Sequence, residues 1–153
     1  MGYERITNDV DVLMSREGLE RFKLRALGRG YVEKFAGSKG VKDTVNGVGI
    51  DVVLEGEFPG DGKPKPVVFP NPSVAVQQGG LRLIPLARLV ELKLASGMTA
   101  AHRLKDLANV LELVKAAKLP LELELGATLD ASVRTKYEEL WHAAQVYDPI
   151  SES

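Results

Sequence analysis

Residues 5–13 decide how the rest of the chain is interpreted; they read Arg-Ile-Thr-Asn-Asp-Val-Asp-Val-Leu. Their alternation predicts a β-strand, because successive side chains of a strand point to opposite faces. Asp9 and Asp11 are then expected on one face, with Val10 and Val12 on the other. Two neighbouring carboxylates repel each other unless a positive charge lies between them. Nothing in the next few residues supplies that charge.

Asp51 is a third acid in a similar setting, since it interrupts the apolar run Gly-Ile-Asp-Val-Val-Leu at residues 49–54. A carboxylate inside a buried strand is costly unless it is paired or bound to a metal. Carboxylate oxygens are ligands that Mg²⁺ prefers. Three of them on two strands would hold two cations about 3.5–4 Å apart, the arrangement used for in-line phosphoryl displacement. The sequence therefore predicts a metal site; the alternative is acids exposed to water at the open end of a strand.

Composition sets the broad class of the chain. With 153 residues, of which 44% are hydrophobic and 27% charged, we expect one packed domain, or one domain with a small appendage. The net charge of −1 argues against general affinity for nucleic acids. No apolar run approaches the about 20 residues of a membrane helix, and the start lacks the apolar core of a secretion signal. The absence of cysteine excludes disulfides, and we expect a cytoplasmic protein.

The first half of the chain has the pattern of a sheet with one helix. Ser15 is the predicted N-cap of a helix that ends near Leu27. Asn46-Gly47 predicts a tight hairpin turn of type I′. The predicted strands are residues 31–35, 41–45, 48–54, 67–69, 74–77 and 81–84. A loop rich in glycine and proline is expected at residues 55–66.

The second half has the pattern of helices. We predict helices at residues 86–97, from Thr99 as N-cap to Lys118, and from Asp130 onward. Residues 121–125 alternate like a strand but favour a short helix by composition. The predicted fold is α/β (α+β): a mixed sheet with a flanking helix, then a C-terminal helical bundle. The expected boundaries are 1–84 for the α/β core, 85–148 for the helical part and 149–153 for the tail.

Charged residues in the helical part also need an explanation. Lys93 shares the apolar face of the helix at residues 86–97, from which its ammonium either reaches outward to water or meets a buried anion. Arg103 and Lys105 are on the first turns of the next helix, where positive charge opposes the helix dipole. Arg103 and Asp106 are three positions apart, so a simple ion pair is the alternative.

Two groups of residues resemble a known family. Residues 5–12, with the pattern Arg-x-Thr-x-Asp-Val-Asp-Val, resemble the metal-binding strand of the nucleotidyltransferase superfamily, the fold group that includes DNA polymerase beta. Asp51 stands where that superfamily has its third carboxylate. Residues 92–95 and 103–108 resemble the helical motif of one branch, the AbiEii-like nucleotidyltransferases. That branch contains toxin components of abortive-infection and toxin–antitoxin systems and uncharacterised relatives.

The resemblance implies transfer of a nucleoside monophosphate from an NTP to a hydroxyl group, with release of pyrophosphate. Asp9, Asp11 and Asp51 would be the catalytic residues and would hold two Mg²⁺ ions, or Mn²⁺. Asp51 would also deprotonate the attacking hydroxyl. In the toxin branch the acceptor would be RNA, in particular tRNA, and an antitoxin protein would be a partner.

The same resemblance assigns a nucleotide-binding role to the helical residues. Lys93 would contact the phosphates, and Asp106, with Arg103 or Lys105, would complete the site. Asn109 stands where the branch usually has another aspartate.

The superfamily also places a Gly-Ser or Gly-Gly turn upstream of the acidic strand, where backbone N–H groups hold phosphates. Only eight residues precede Asp9 in this sequence, so we expect either that the start of the protein lies further upstream or that the turn has been lost. The alternative to an enzyme is therefore an inactive nucleotidyltransferase fold that binds nucleotide, RNA or a protein. A missing first strand would leave a bare sheet edge, which predicts self-association into a homo-oligomer.

Overall fold

The structure, a computed structural model, describes residues 9–121 and 129–146, apart from the side chains of Asp9 and Ala101. The predictions for residues 122–125 and for the tail lie outside these ranges. The mixed α/β class predicted from the sequence is confirmed. The chain forms two compact units. The first contains the described residues up to Glu57 together with Phe69–Pro72, and the second contains Phe58–Val68 and the residues from Ser73 onward.

The first unit is built on a mixed four-stranded sheet. Its strands are β1 (Asp9–Met14), β2 (Tyr31–Glu33), β3 (Val41–Asp43) and β4 (Gly49–Leu54). Their order across the sheet is β1-β4-β3-β2. β1 pairs with β4 in parallel, whereas β3 pairs antiparallel with both β4 and β2. The two strands that carry the acidic residues are therefore neighbours.

Helix α1 (Arg16–Ala26) follows β1 directly. The Ser15 Oγ accepts a hydrogen bond of 3.0 Å from the Gly18 N–H, so the predicted N-cap is confirmed. Leu19 of this helix is buried and packs in one apolar cluster with Val52 and Leu54 of β4. Since strand side chains alternate between faces, the acid at position 51 is on the opposite face from this cluster.

The hairpin between β3 and β4 forms, but its turn is wider than predicted. The Gly47 N–H donates to the Asp43 carbonyl at 2.9 Å, and the Asp43 N–H donates to the Val48 carbonyl at 2.8 Å. Gly47 has a φ of 72°, whereas Asn46 lacks the positive φ that a type I′ turn needs at both central residues. The Asp43 carboxylate accepts bonds from the Val45 N–H and the Asn46 amide, which stabilises the wider turn.

The loop predicted at residues 55–66 is present, but the strand predicted at 67–69 is not. Phe69 instead exchanges two isolated backbone bonds with the start of the loop. The Gly56 N–H donates to the Phe69 carbonyl, and the Phe69 N–H donates to the Glu57 carbonyl, each at 2.9 Å. Both bonds lie within the first unit.

The second unit consists mainly of three helices in the described ranges. They are α2 (Leu86–Gly97), α3 (Leu104–Ala117) and α4 (Ala131–Val146), preceded by a two-stranded hairpin of β5 (Val76–Gln78) and β6 (Leu81–Leu83). The residues of the hairpin cluster with these helices. The apolar core contains Val90, Leu94, Val110, Val114 and Tyr137. None of the helices in the described part of the chain combines the length and apolar character needed to cross a membrane.

The helix predicted to begin at Thr99 begins later. A 3₁₀ turn at Ala101–Arg103 comes first, and α3 starts at Leu104. The Thr99 hydroxyl donates back to the Ser96 carbonyl at 2.7 Å, at the end of α2. Thr99 therefore closes one helix and does not cap the next.

Candidate functional site

Asp11 and Asp51 are direct register partners in the parallel pair of β1 and β4. Partners in neighbouring strands are about 4.8 Å apart and share a face of the sheet. Asp9 is in register with Gly49 two positions away, and its side chain lies outside the described part of the structure. The structure thus brings two of the three acids together on the face opposite α1.

This face is open to water. The side chain of Asp51 is 47% exposed, and Asp11 is exposed. The sequence places Asp51 in a run that looks buried, but the buried residues there are Gly49, Val52 and Leu54, whereas Asp51 is not buried. Ionised carboxylates on this face therefore have a much smaller desolvation cost than the sequence suggests.

Lys34 supplies the positive charge for which the sequence near the acids has no source. Its Nζ lies 2.6 Å from the Asp51 Oδ1. Lys34 follows β2, and its N–H donates to the Gly40 carbonyl at 3.1 Å. A Cβ at Gly40 would lie 3.1 Å from both the Lys34 Cδ and the Ile50 carbonyl oxygen, so a side chain at this position would crowd Lys34. Sequence reasoning missed Lys34 because its position depends on how β2, β3 and β4 pair.

The segment that carries Lys34 is anchored to α1. The Lys23 Nζ donates to the Glu33 Oε2 at 2.6 Å and also to the Ser38 carbonyl. The hydrogen bond from Lys23 is the largest cause of a lowered pKa of Glu33. Both ends of the connection from β2 to β3 are thus tied to the same ammonium group.

The donor set at the acidic face fits a hard divalent cation, because carboxylate oxygens are the ligands that Mg²⁺ and Mn²⁺ take. Among the side chains that the structure describes, no group of three or more His, Cys, Asp or Glu residues is arranged to hold a metal ion. The side chain of Asp9 is not in that set. The described part of the trio consists of Asp11 and Asp51, and the latter is already bonded to Lys34.

The second unit contains a separate polar cluster at the junction of α2 and α3. The Lys93 Nζ lies 3.7 Å from the Asp106 Oδ1, so its charge is directed to an acid on the next helix. The Ser96 Oγ donates to the Asp106 Oδ2 at 2.6 Å. The Arg103 Nη1 donates to the Ser96 Oγ at 3.5 Å. We call these four residues the helix-junction cluster.

Three of the four helical residues implied by the family resemblance are in the helix-junction cluster. Lys105 is exposed on α3, and in the described part of the chain no ion pair or hydrogen bond links it to the cluster. Ser96 is the member that sequence reasoning missed. The sequence feature that could have indicated Ser96 is the neighbouring Gly97, because a Cβ there would lie 2.7 Å from the Leu107 side chain. This close approach brings the end of α2 against the start of α3.

The two groups of candidate residues are in different units of the chain, the acids on the sheet and the helix-junction cluster between two helices. Each is a local arrangement of oxygen donors and cationic groups, with its own set of contacts. Comparisons with protein-family models, with curated proteins and with solved structures found no match for this chain.

Proposed function

We propose that the protein is a nucleotidyltransferase, which transfers a nucleoside monophosphate from an NTP to a hydroxyl group of an acceptor. The observation that carries this proposal is the parallel register that pairs Asp11 with Asp51 on the open face of the sheet. Asp9, two residues before Asp11 in the same strand, is the third proposed ligand. Two Mg²⁺ ions, or Mn²⁺, held by these acids would neutralise charge on the phosphates and activate the attacking hydroxyl.

The proposed step forms a bond between the acceptor oxygen and the α-phosphorus and breaks the bond from that phosphorus to pyrophosphate, which leaves. The proton of the acceptor hydroxyl goes to the Asp51 carboxylate. A half-exposed carboxylate on an open face is accessible to such a hydroxyl. In the second unit, Lys93 and Arg103 are the proposed contacts to nucleotide phosphates.

RNA, in particular tRNA, is the acceptor that the resemblance to the toxin branch suggests, and an antitoxin protein is the corresponding partner. The cytoplasm, which supplies NTPs and tRNA, is the compartment that this activity requires. Self-association is part of the same proposal, because β1 is at the edge of the described sheet. A monomer by light scattering would contradict self-association.

The second candidate is a protein of this kind that binds nucleotide, RNA or a protein partner without transfer. The contact between Lys34 and Asp51 favours it, because the ammonium at 2.6 Å already occupies one of the oxygens proposed to bind metal. The two candidates therefore differ in whether a metal ion replaces this lysine at the carboxylate.

The deciding experiment incubates the protein with labelled NTPs, Mg²⁺ and bulk tRNA and measures label on RNA and on protein. We expect labelling by the wild type and a loss of about 100-fold in Asp51→Asn, since a general base contributes at least that much. Asp61→Asn is the matched control, because Asp61 is also bonded to a lysine, Lys65 at 2.7 Å, but belongs to the second unit of the chain. If neither the wild type nor Asp51→Asn transfers label to RNA or to protein, the binding candidate is favoured.

Metal binding has a separate test that does not need the substrate. Calorimetric titration of Mg²⁺ or Mn²⁺ into the wild type should give heat of binding that is lost in Asp11→Asn. An unchanged titration in that variant would contradict the proposed metal site at Asp11.

A further inference from the structure

We propose that Ser96 is a positioning residue, which fixes Arg103 and Asp106 so that the helix-junction cluster presents its cations to the phosphates of a nucleotide. This inference rests on the proposed function for the role of Lys93 and Arg103, but the part assigned to Ser96 comes from the contacts in the second unit. It names a residue that neither the motif spacing nor the family resemblance selects.

The hydroxyl of Ser96 is in the middle of the helix-junction cluster. Ser96 is only 8% exposed. Its Oγ donates to the Asp106 Oδ2 at 2.6 Å and accepts from the Arg103 Nη1 at 3.5 Å. A serine within a helix commonly bonds back to a carbonyl of its own helix. Here the hydroxyl instead donates to Asp106, ten positions later in the chain, and this hydrogen bond connects α2 to α3.

The backbone around Ser96 is packed too closely for this link to be incidental. A Cβ at Gly97 would lie 2.7 Å from the Leu107 side chain and 3.1 Å from the Leu107 nitrogen. A Cβ at Gly60 would lie 3.0 Å from the Ser96 Cα. Two glycines therefore let α3 and the loop of residues 58–62 approach the end of α2, which holds the serine at a fixed distance from Asp106.

The cluster holds its lysine in place and leaves it able to bind an anion. The Lys93 Nζ is 3.7 Å from the Asp106 Oδ1, which is longer than an ordinary N–H···O hydrogen bond. Its side chain is 29% exposed, and an ammonium group has three donors. One Asp106 oxygen is bonded to Ser96, and the other faces Lys93 and fixes the position of the lysine charge.

Loss of the serine hydroxyl removes this fixation but leaves all the charges. Without it, Arg103 and the Asp106 carboxylate gain rotational freedom that a bound polyphosphate must remove again. The expected penalty for ordering one or two such side chains corresponds to about a tenfold loss of affinity. In steady-state kinetics the same change should raise KM for the NTP and leave kcat unchanged, because binding to phosphates is weakened equally in the ground state and the transition state.

The test titrates the protein with inorganic triphosphate without Mg²⁺, so that the acids of the sheet do not contribute. Ser96→Ala should weaken binding about tenfold. Thr99→Ala is the matched control, because it removes a hydroxyl at the same end of α2 whose bond goes to the Ser96 carbonyl. Its affinity should equal that of the wild type, and thermal unfolding would establish that each variant is folded.

The possible outcomes separate this inference from the proposed function. If Ser96→Ala binds triphosphate as well as the wild type, or if the wild type does not bind it, the role of Ser96 is refuted. Labelling of RNA that depends on Asp51 would still support the transferase in that case. If Ser96→Ala loses affinity but no labelling occurs, Ser96 keeps its role in anion binding and the transferase is refuted.

Discussion

Glu91 makes the contact whose removal gives the sharpest test of the second unit. It lies on α2, is only 6% exposed and uses both carboxylate oxygens. The Arg88 Nη1 donates to its Oε1 at 2.7 Å, and the Asp130 backbone N–H donates to its Oε2 at 2.6 Å. Asp130 immediately precedes α4, so this one carboxylate connects two helices.

The change Glu91→Gln keeps the size of the side chain but replaces one oxygen by an NH₂ group. That group must face one of two donors, either the guanidinium of Arg88 or the backbone N–H of Asp130. In this partly buried site, a donor that loses its charged acceptor costs about 1–3 kcal/mol, and we expect the free energy of unfolding to fall by about 2 kcal/mol. With a urea m-value of about 2 kcal/mol per M, the unfolding midpoint should fall by about 1 M.

Urea denaturation can be followed by the fluorescence of Trp141, the one tryptophan of the chain, whose Nε1 donates to the Leu119 carbonyl at 2.8 Å. Glu139→Gln is the matched control. Glu139 also pairs with a cation three positions earlier, Lys136 at 2.7 Å, but its side chain is 63% exposed. The control should lose less than about 1 kcal/mol. Equal losses in the two variants would refute the argument that burial and the bond to Asp130 make Glu91 important.

Two further predictions concern the same unit. Gly97→Ala should lower the melting temperature and reduce the free energy of unfolding by about 1–2 kcal/mol, because the clash of the new Cβ with Leu107 exceeds the gain in helix propensity. A variant as stable as the wild type would contradict the close contact between the two helices. Burial raises the pKa of Tyr137, so the folded state holds the phenol proton more tightly than the unfolded chain does. The stability that this proton contributes is fully present below about pH 10 and is lost as the pH rises through the folded pKa. If the unfolding profile of Tyr137→Phe shows the same loss at alkaline pH, Tyr137 is not the origin of that loss.

Local sequence signals predicted those elements whose stabilising contacts are themselves local. Ser15 caps α1 through a bond to a residue three positions away, and the bounds of α2 match the prediction. The turn at Asn46 was mispredicted because the Asp43 side chain stabilises a wider loop. Thr99 was mispredicted as a cap because its hydroxyl bonds back to α2.

The same distinction holds for the candidate site. Alternation along two apolar runs was enough to place Asp11 and Asp51 on the faces of their strands, and strand pairing then made them partners. Lys34 could not be predicted, because its contact spans 17 positions and depends on two other strands. The contact of Ser96 with Asp106 depends on how closely two helices pack, and Gly97 is only an indirect signal of that packing in the sequence.

The contact between Lys34 and Asp51 has a consequence for any cation that binds at the sheet. A tethered ammonium has a high effective concentration at the carboxylate, which no amount of dilution removes. The apparent affinity of the carboxylate for a dissolved ion is therefore the attraction of that ion minus the attraction of the Lys34 ammonium. Moving the connection at residues 34–40 away from the sheet would therefore raise the affinity of the Asp51 carboxylate for any dissolved cation.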